Sequence, residues 1–274
     1  TISPTVAVAA GPATATLTLK VPKSTPSGTY RVTVTGADAD VARTLTLKMT
    51  VDSEPPVASG PRLKARGGSR FDTTRFTARA SWVAATDAMS SITAYQAQWS
   101  VDGGSWGGTI NLPASRRYLD RTFRVGHAYA LRIRARDAAG NWSSWVTDDP
   151  FRVAVSQDRS STWHRSGTWR RSWSSKWSRG TTLYSRRAGA AIWRTFTGRG
   201  ISVVAPRGTV RGKAQIWIDG TLARTIDLHR SSLQPRRVVY ARTWAESGRH
   251  TIRIVVVGTA SHPRVDVDAL VITR

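Results

Sequence analysis

No window of this chain carries the repeating apolar spacing of a long amphipathic helix. Its apolar residues fall instead in runs of four to eight, rich in Val, Ile, Thr and aromatics, and Gly, Pro, Asp and Asn punctuate them. Such runs bounded by turn formers read as β-strands. The 274 residues are therefore expected to be all-β, with length for two or three units that each bury a core. No window approaches the roughly 18 consecutive apolar residues of a membrane-spanning helix. The longest strongly apolar run, Ile254 to Val257, is strand-sized, and no membrane insertion is expected. Without cysteine there is neither a disulfide framework nor a thiolate metal site.

Three segments differ in pattern. In residues 1–53, the runs Thr14 to Val21, Gly28 to Thr35 and Arg43 to Val51 alternate with period two, so each can bury one face. Pro22 to Gly28 and Gly36 to Asp40 supply turn chemistry between them. The sequence Pro26-Ser-Gly-Thr-Tyr-Arg-Val-Thr-Val-Thr-Gly36 resembles the later half of a bacterial immunoglobulin-like domain. A full domain of that kind needs about seven strands, so this segment is expected to be partial and the chain to be cut from a longer one.

Glu54-Pro-Pro56 suits a linker, because two prolines remove sheet donors and stiffen the joint. In residues 54–156, Phe76 to Trp82, Ile92 to Trp99 and Ala128 to Ser143 carry the next pattern, with Asp102 to Trp106 as a hairpin turn. The last run resembles the F strand and following turn of fibronectin type III domains. That resemblance implies Trp82, Tyr95, Tyr129 and Trp142 as structural aromatics of a core between two sheets.

Residues 157–274 show eight short strands and no helix, which suggests a two-sheet jelly roll. The stretches Phe196 to Ile201, Gly212 to Gly220, Thr225 to Leu228, Ser247 to Ile254 and Val265 to Leu270 resemble the galactose-binding-like modules appended to secreted bacterial proteins. That resemblance implies a non-catalytic sandwich that often binds carbohydrate. The three domain types together imply an extracellular location, secreted or at the cell surface.

Positive charge climbs along the chain. Residues 1–55 hold five Lys/Arg against four Asp/Glu, residues 56–157 fourteen against seven, and residues 158–274 twenty-two against six, giving +24 in all. Such a field concentrates anionic partners but leaves the fold undetermined. Arg outnumbers Lys thirty-five to six, and arginine used simply as a solvated strand residue accounts for the composition equally well.

Catalytic patterns are sparse. Only Glu54 and Glu246 are glutamates, and the five histidines, at 127, 164, 229, 250 and 262, have no metal-ligand spacing. There is no Gly-x-Ser-x-Gly elbow and no phosphate-cradling glycine loop before a helix. A non-enzymatic chain without cofactor is expected. Asp158, Asp266 and Asp268 could contribute to a calcium site of the kind found in related jelly rolls, but so positive a segment makes a poor trap.

Aromatics give the stronger lead. Trp163, Trp169, Trp173 and Trp177 fall within fifteen residues, interleaved with Arg and Lys. Indole stacks on the apolar faces of sugars while Arg donates to their hydroxyls. Trp163 and Trp169 are assigned to tuck against the sandwich, leaving Trp173 and Trp177 as binding candidates. Inward Ala214, Ile216 and Ile218 would turn Gln215 and Trp217 outward. Inward Ile192 and Phe196 would do the same for Trp193, in a register that also turns Arg194 inward.

The sequence thus points to spacer sandwiches presenting a basic jelly roll that binds polysaccharide or an acidic cell-surface glycopolymer. The expected site comprises Trp173, Trp177, Trp217, Arg186, Arg187, Arg207 and Arg211. Nucleic acid is a weaker partner, since no recognised motif for it is present. The alternative is a structural stalk or surface-assembly module.

Overall fold

Period-two alternation decides which side chains leave water, and the sheets follow from it. The computed structural model describes residues 18–37 and 41–274. The expected strand Thr14 to Val21 lies outside the described residues except for 18–21, which form no strand, and the turn at 36–40 lies partly outside them. The described residues are nearly all β.

Strands β1 (Gly28–Ala37) and β2 (Ala42–Val51) pair with each other, Gly28 opposite Val51 and Ala37 opposite Ala42. Tyr30, Val32 and Val34 are half-buried, whereas Leu45 and Leu47 are exposed.

The middle segment contributes β3 (Arg62–Ala65), β4 (Arg75–Ser81), β5 (Ile92–Val101), β6 (Ile110–Pro113), β7 (Tyr118–Arg124), β8 (Ala128–Asp137), β9 (Val146–Thr147) and β10 (Phe151–Gln157). Strands β3, β4 and β7 form one sheet, which packs over the sheet carrying β5, β6 and β8. Between them lie Phe76, Tyr95, Trp99, Phe123, Tyr129, Leu131 and Ile133. Phe123 meets Trp99, Tyr129 and Phe151 edge-on, with ring centroids 5.4, 4.9 and 5.1 Å away, a geometry that suits the aromatic quadrupole. The buried phenols keep a partner: Tyr95 Oη accepts the Ala85 amide and Tyr129 Oη the Arg124 amide, each at 2.8 Å. Trp82, Tyr95 and Tyr129 thus lie in this core. Trp142 lies half-buried on the outside, because its bridge to Arg136 gives it that residue's outward parity.

The last segment contributes β11 (His164–Ser166), β12 (Arg170–Trp173), β13 (Thr181–Ser185), β14 (Ala191–Arg207), β15 (Lys213–Ile218), β16 (Thr221–Asp227), β17 (Gln234–Val256), β18 (Val265–Val267) and β19 (Ala269–Thr273). Residues 191–197 and 200–204, read as two strands, are the single strand β14; residues 237–240 and 250–257 merge likewise in β17. Between Gly198, opposite Gly248, and Gly200, opposite Thr243, four residues of β17 loop out, which absorbs the Glu246-Ser-Gly turn without ending the strand. Gly198 is required there, because a Cβ would stand 2.6 Å from the Thr273 carbonyl oxygen.

Strand β10 joins the two halves. Its first residues, Phe151 and Arg152, pair with Tyr129 and Ala128 of β8; Val153 to Gln157 pair with Thr273 to Ala269 of β19. One sheet therefore runs β16-β15-β17-β14-β19-β10-β8-β5-β6, with β11 on β14 and β9 on β8. Strand β19 is buried on both faces: Ala269 and Val271 face the middle core, Leu270 and Ile272 the C-terminal core. On β14, Val203 and Val204 divide the same way. The other wall of the C-terminal core is the sheet β12-β13-β18, with Leu183, Val265 and Val267 turned inward.

The run Val265 to Ile272 breaks at Asp268, whose carboxylate accepts the Ser178 amide at 2.9 and 3.1 Å. Asp268 is fully buried. Burial, opposed by the Ser178 amide and reinforced by nearby Asp158, pushes its pKa up to about 8.

Replacing Leu270 with Ala should cost about 2–5 kcal/mol. It should also speed amide exchange at Ile133 in the opposite core; acceleration confined to the C-terminal core would show that the two cores open separately. Asp268 generates a second expectation. Its folded pKa lies above the unfolded value of 3.8, so the folded form binds the extra proton between pH 4 and 8. That contribution is fully present at acid pH, falls as pH rises through this window and is flat above it. Denaturant titrations of wild type and Asp268→Asn across the window should show a shallower pH dependence in the variant; parallel curves would refute the assignment.

Candidate functional site

Strands β14, β17 and β15 are neighbours in the large sheet, and their register aligns side chains in a row. Trp193 stands opposite Arg253, and Arg253 opposite Trp217. His164 of β11 stands opposite Trp193 and stacks on it, ring centroids 5.7 Å apart and planes 21° from parallel. Directly opposed residues share a face, so imidazole, indole, guanidinium and indole line up across four strands. The two tryptophans are two strand spacings apart, roughly 10 Å. Between them the Arg253 guanidinium lies 5.8 Å from the Trp193 ring centroid.

The inward residues hold this face outward. Ile192, Ala214, Ile216, Ile218, Ile252 and Ile254 are buried in the C-terminal core, which leaves Trp193, Gln215, Trp217 and Arg253 on the other side. Arg194, also of inward parity, is half-buried and donates to the Ser156 hydroxyl. Along β15–β16 the register shifts between Ile216 and Trp217, a bulge of the kind that re-aims a side chain. Trp217 Nε1 donates to Gln215 Oε1 at 3.2 Å. Together with Thr251 and Val255, these residues line a shallow groove of about 500 Å³.

One edge of the groove is pinned by the two-residue turn Asp219-Gly220, with φ of 53° and 82°. Two successive positive φ angles define the mirror-image hairpin turn that Asp-Gly favours. The Asp219 carboxylate accepts the Thr251 amide at 2.7 Å and faces His250 Nδ1 at 2.7 Å. Burial alone would raise the Asp219 pKa, but that amide and the His250 ring hold it below its ordinary value. His250 is in turn covered by Trp244, centroids 3.9 Å apart.

The residues expected to bind ligand do not converge. Trp217 lies in the groove. Trp173 is 68% exposed at the end of β12, in the opposite sheet. Trp177 is buried with the Arg211 guanidinium 5.6 Å over its ring, and Arg211 is buried with its Nε 3.0 Å from Asp266 Oδ2. Both are corrected from ligand contacts to framework, because a side chain enclosed in this way presents no face to a ligand. Arg186 and Arg187 are exposed and line a separate groove of about 270 Å³ with Arg170 and Tyr184. Arg207 is half-buried, its pKa lowered by burial and by Arg230 and Arg237. Trp163 is buried and Trp169 packs against the C-terminal core. Arg253 and His164 went unselected. The inward parity of Ile252 and Ile254 marks Arg253 as outward, but only the cross-strand register brings it between two indoles.

The acidic groups sort similarly. Asp266 is taken by Arg211 and Arg264, and Asp158 by Thr181 and Arg171. Asp52, Asp87 and Asp137 bring carboxylate oxygens within 4.8 Å of one another where β2 meets the middle core, an oxygen set that could hold a divalent cation. Among the described residues no helix is long and apolar enough to cross a membrane.

No family model matches the chain. Over 157 residues it is 28% identical to the A type blood N-acetyl-alpha-D-galactosamine deacetylase of Flavonifractor plautii, a match covering 54% of this chain and 20% of that protein. The chain thus spans about one fifth of the length of that curated relative. Among solved structures it is similar to a family two carbohydrate esterase from Cellvibrio japonicus, with 14% identity, TM-score 0.35, and 45% of this chain and 34% of that one covered. It is also similar to the exo-beta-1,3-galactanase of Phanerochaete chrysosporium, with 9% identity, TM-score 0.33, and 85% and 75% covered. The expectation of a non-enzymatic chain is corrected by the first of these comparisons, in which the similar protein is named as a deacetylase.

Proposed function

We propose that this chain belongs to a secreted or surface-bound carbohydrate-acting protein, and that it holds glycan in the groove formed by Trp193, Arg253 and Trp217. Residues 54–156 and 157–274 would be successive β-sandwich units, the second carrying the groove. The observation that carries this reading is the cross-strand row itself, two indoles flanking a guanidinium on an open sheet face. A sugar ring offers apolar C–H faces to the indoles. Its hydroxyls meet Arg253 and the Gln215 amide between them. Open at the sheet surface, the groove suits a chain passing across it rather than an enclosed monosaccharide. The similarity to a protein named for N-acetyl-galactosamine chemistry supports carbohydrate as the ligand class and makes glycans containing that sugar the first probes.

Isothermal titration with such glycans should show binding that persists at high salt, because stacking is not screened. Trp193→Ala and Trp217→Ala should each weaken it about tenfold or more, about 1.4 kcal/mol, while Trp173→Ala leaves it unchanged. Undiminished affinity in both groove variants would refute this site. No glycan binding together with concentration-dependent self-association would favour the assembly role instead.

A further inference from the structure

The outer face of the middle sheet carries a second built surface. Arg132, Arg134 and Arg136 alternate along β8, so their side chains leave one face about 6.7 Å apart. Three tryptophans interleave with them. Arg132 lies 4.4 Å from the Trp106 ring centroid and 4.6 Å from that of Trp145. Arg134 lies 4.7 Å from Trp145 and 4.6 Å from Trp142, and Arg136 closes the stack 5.9 Å from Trp142. The result is a ladder of alternating indole and guanidinium plates, anchored from the neighbouring strand. Gln98 Oε1 accepts Arg132 Nε and Nη2 at 2.8 and 2.5 Å, and Gln96 Oε1 accepts Arg134 Nε and Nη2 at 2.9 and 2.7 Å. Each glutamine amide is oriented in turn, Gln98 donating to Thr109 and Gln96 to Asn111.

The charge on this ladder is uncompensated. Among the described residues, none of the ion pairs involves Arg132, Arg134 or Arg136. Asp137, next on the strand, is buried and spends its oxygens on the Gly140 and Asn141 amides and the Asn141 side chain. A guanidinium has five N–H donors. With one bond from Nε and one from Nη2 committed, Arg132 and Arg134 each keep three at the exposed edge of the plate. Stacking has already immobilised these side chains, so a ligand need not order them.

We propose that this ladder is a binding surface for an acidic polysaccharide bearing carboxylates, a polyuronate, distinct from the groove on the C-terminal sheet. The edge of a stacked guanidinium matches a carboxylate with two parallel N–H···O contacts, and three such edges in line suit a polymer that repeats its charge. Trp142 and Trp145 each lie between two guanidinium groups, so these indoles offer unpaired nucleobases no platform on which to stack. This favours a uronate over a nucleic acid of similar charge.

Electrophoresis of the full chain through gels containing polygalacturonate, with dextran as neutral control, tests the proposal. Wild type should be retarded by polygalacturonate alone, and less so as salt rises. The double variant Gln96→Glu, Gln98→Glu places a carboxylate against each guanidinium at unchanged size. It should keep the ladder folded and weaken binding about tenfold or more. Arg75→Gln with Arg124→Gln, an exposed pair on the other sheet, removes the same net charge and should change nothing. Equal losses in the two double variants would reduce the effect to net charge and overturn the proposal, as would a folded glutamate variant retarded like wild type. If the glutamate pair unfolds the chain, Arg136→Gln at the exposed end of the ladder should still weaken binding about threefold, and no loss there overturns the proposal. Stronger retardation by single-stranded DNA, lost in the same variants, would replace the uronate with nucleic acid. Trp217→Ala should leave polygalacturonate binding intact, so this surface and the groove can fail independently.

Discussion

Strand β19 is the constraint on which the rest of the architecture depends. A five-residue strand with every interior position buried, alternately in one core and the other, ties both hydrophobic assemblies to a single piece of backbone. Burying a side chain such as Leu270 or Val271 stabilises by about 1.5–3 kcal/mol, and here neither core can give up its share without disturbing the strand that also serves the other. Strand β10 extends the coupling through backbone hydrogen bonds, ending one ladder and beginning the next within seven residues. Arg199 adds a clamp at the junction, reaching Asp148 at 3.2 Å and the Ala245 carbonyl at 2.7 Å.

This coupling matters for function because the aromatic row and the arginine ladder both sit on the sheet that β10 and β19 make continuous. Each is built by cross-strand register rather than by a loop. A sheet fixes the spacing between neighbouring side chains to the strand separation and the residue rise, so the order of the plates and the gaps between them come without further support. What varies between the two surfaces is the chemistry placed on them. In the C-terminal row His164 stacks on Trp193 and a single guanidinium follows it, while among the described residues the Trp217 ring has no stacked partner, which suits an apolar sugar face. On the middle sheet Trp142 and Trp145 each lie between two guanidinium groups, whose remaining donors suit anions.

Arginine's predominance over lysine acquires a physical reason in this setting. A planar, weakly hydrated guanidinium packs against indole at little desolvation cost and still keeps donors at its edge, which an ammonium cannot do. Arg132 and Arg134 are used in this way, and Arg211, buried against Trp177 and paired with Asp266, shows the same chemistry turned into framework. The positive charge is therefore not a uniform coat of solvated side chains. Part of it holds the fold, and part of it is arrayed.

The all-β class and the inward faces of most strands were legible in the sequence, since alternation such as Ala214, Ile216, Ile218 is a local property of a pleated chain. The outward setting of Trp217 followed from the same parity, whereas the resemblance to fibronectin type III domains implied four core aromatics, of which Trp82, Tyr95 and Tyr129 are enclosed and Trp142 is not. Clustering along the chain was the weaker guide. Trp173 and Trp177 are four residues apart, yet one projects into solvent and the other is buried, because the strand ends at Trp173 and a turn closed by the Trp177 amide on the Ser174 carbonyl redirects the chain between them. Trp193, Arg253 and Trp217 are separated by up to sixty residues and meet only because antiparallel pairing fixes their register. The sequence by itself determined which face of each strand would be dry, because that depends on neighbours two residues away. Which strands lie side by side, and so which aromatics and arginines share a surface, depended on the pairing of β10 with β19 and the sharing of two cores, interactions between residues more than a hundred positions apart that no local pattern encodes.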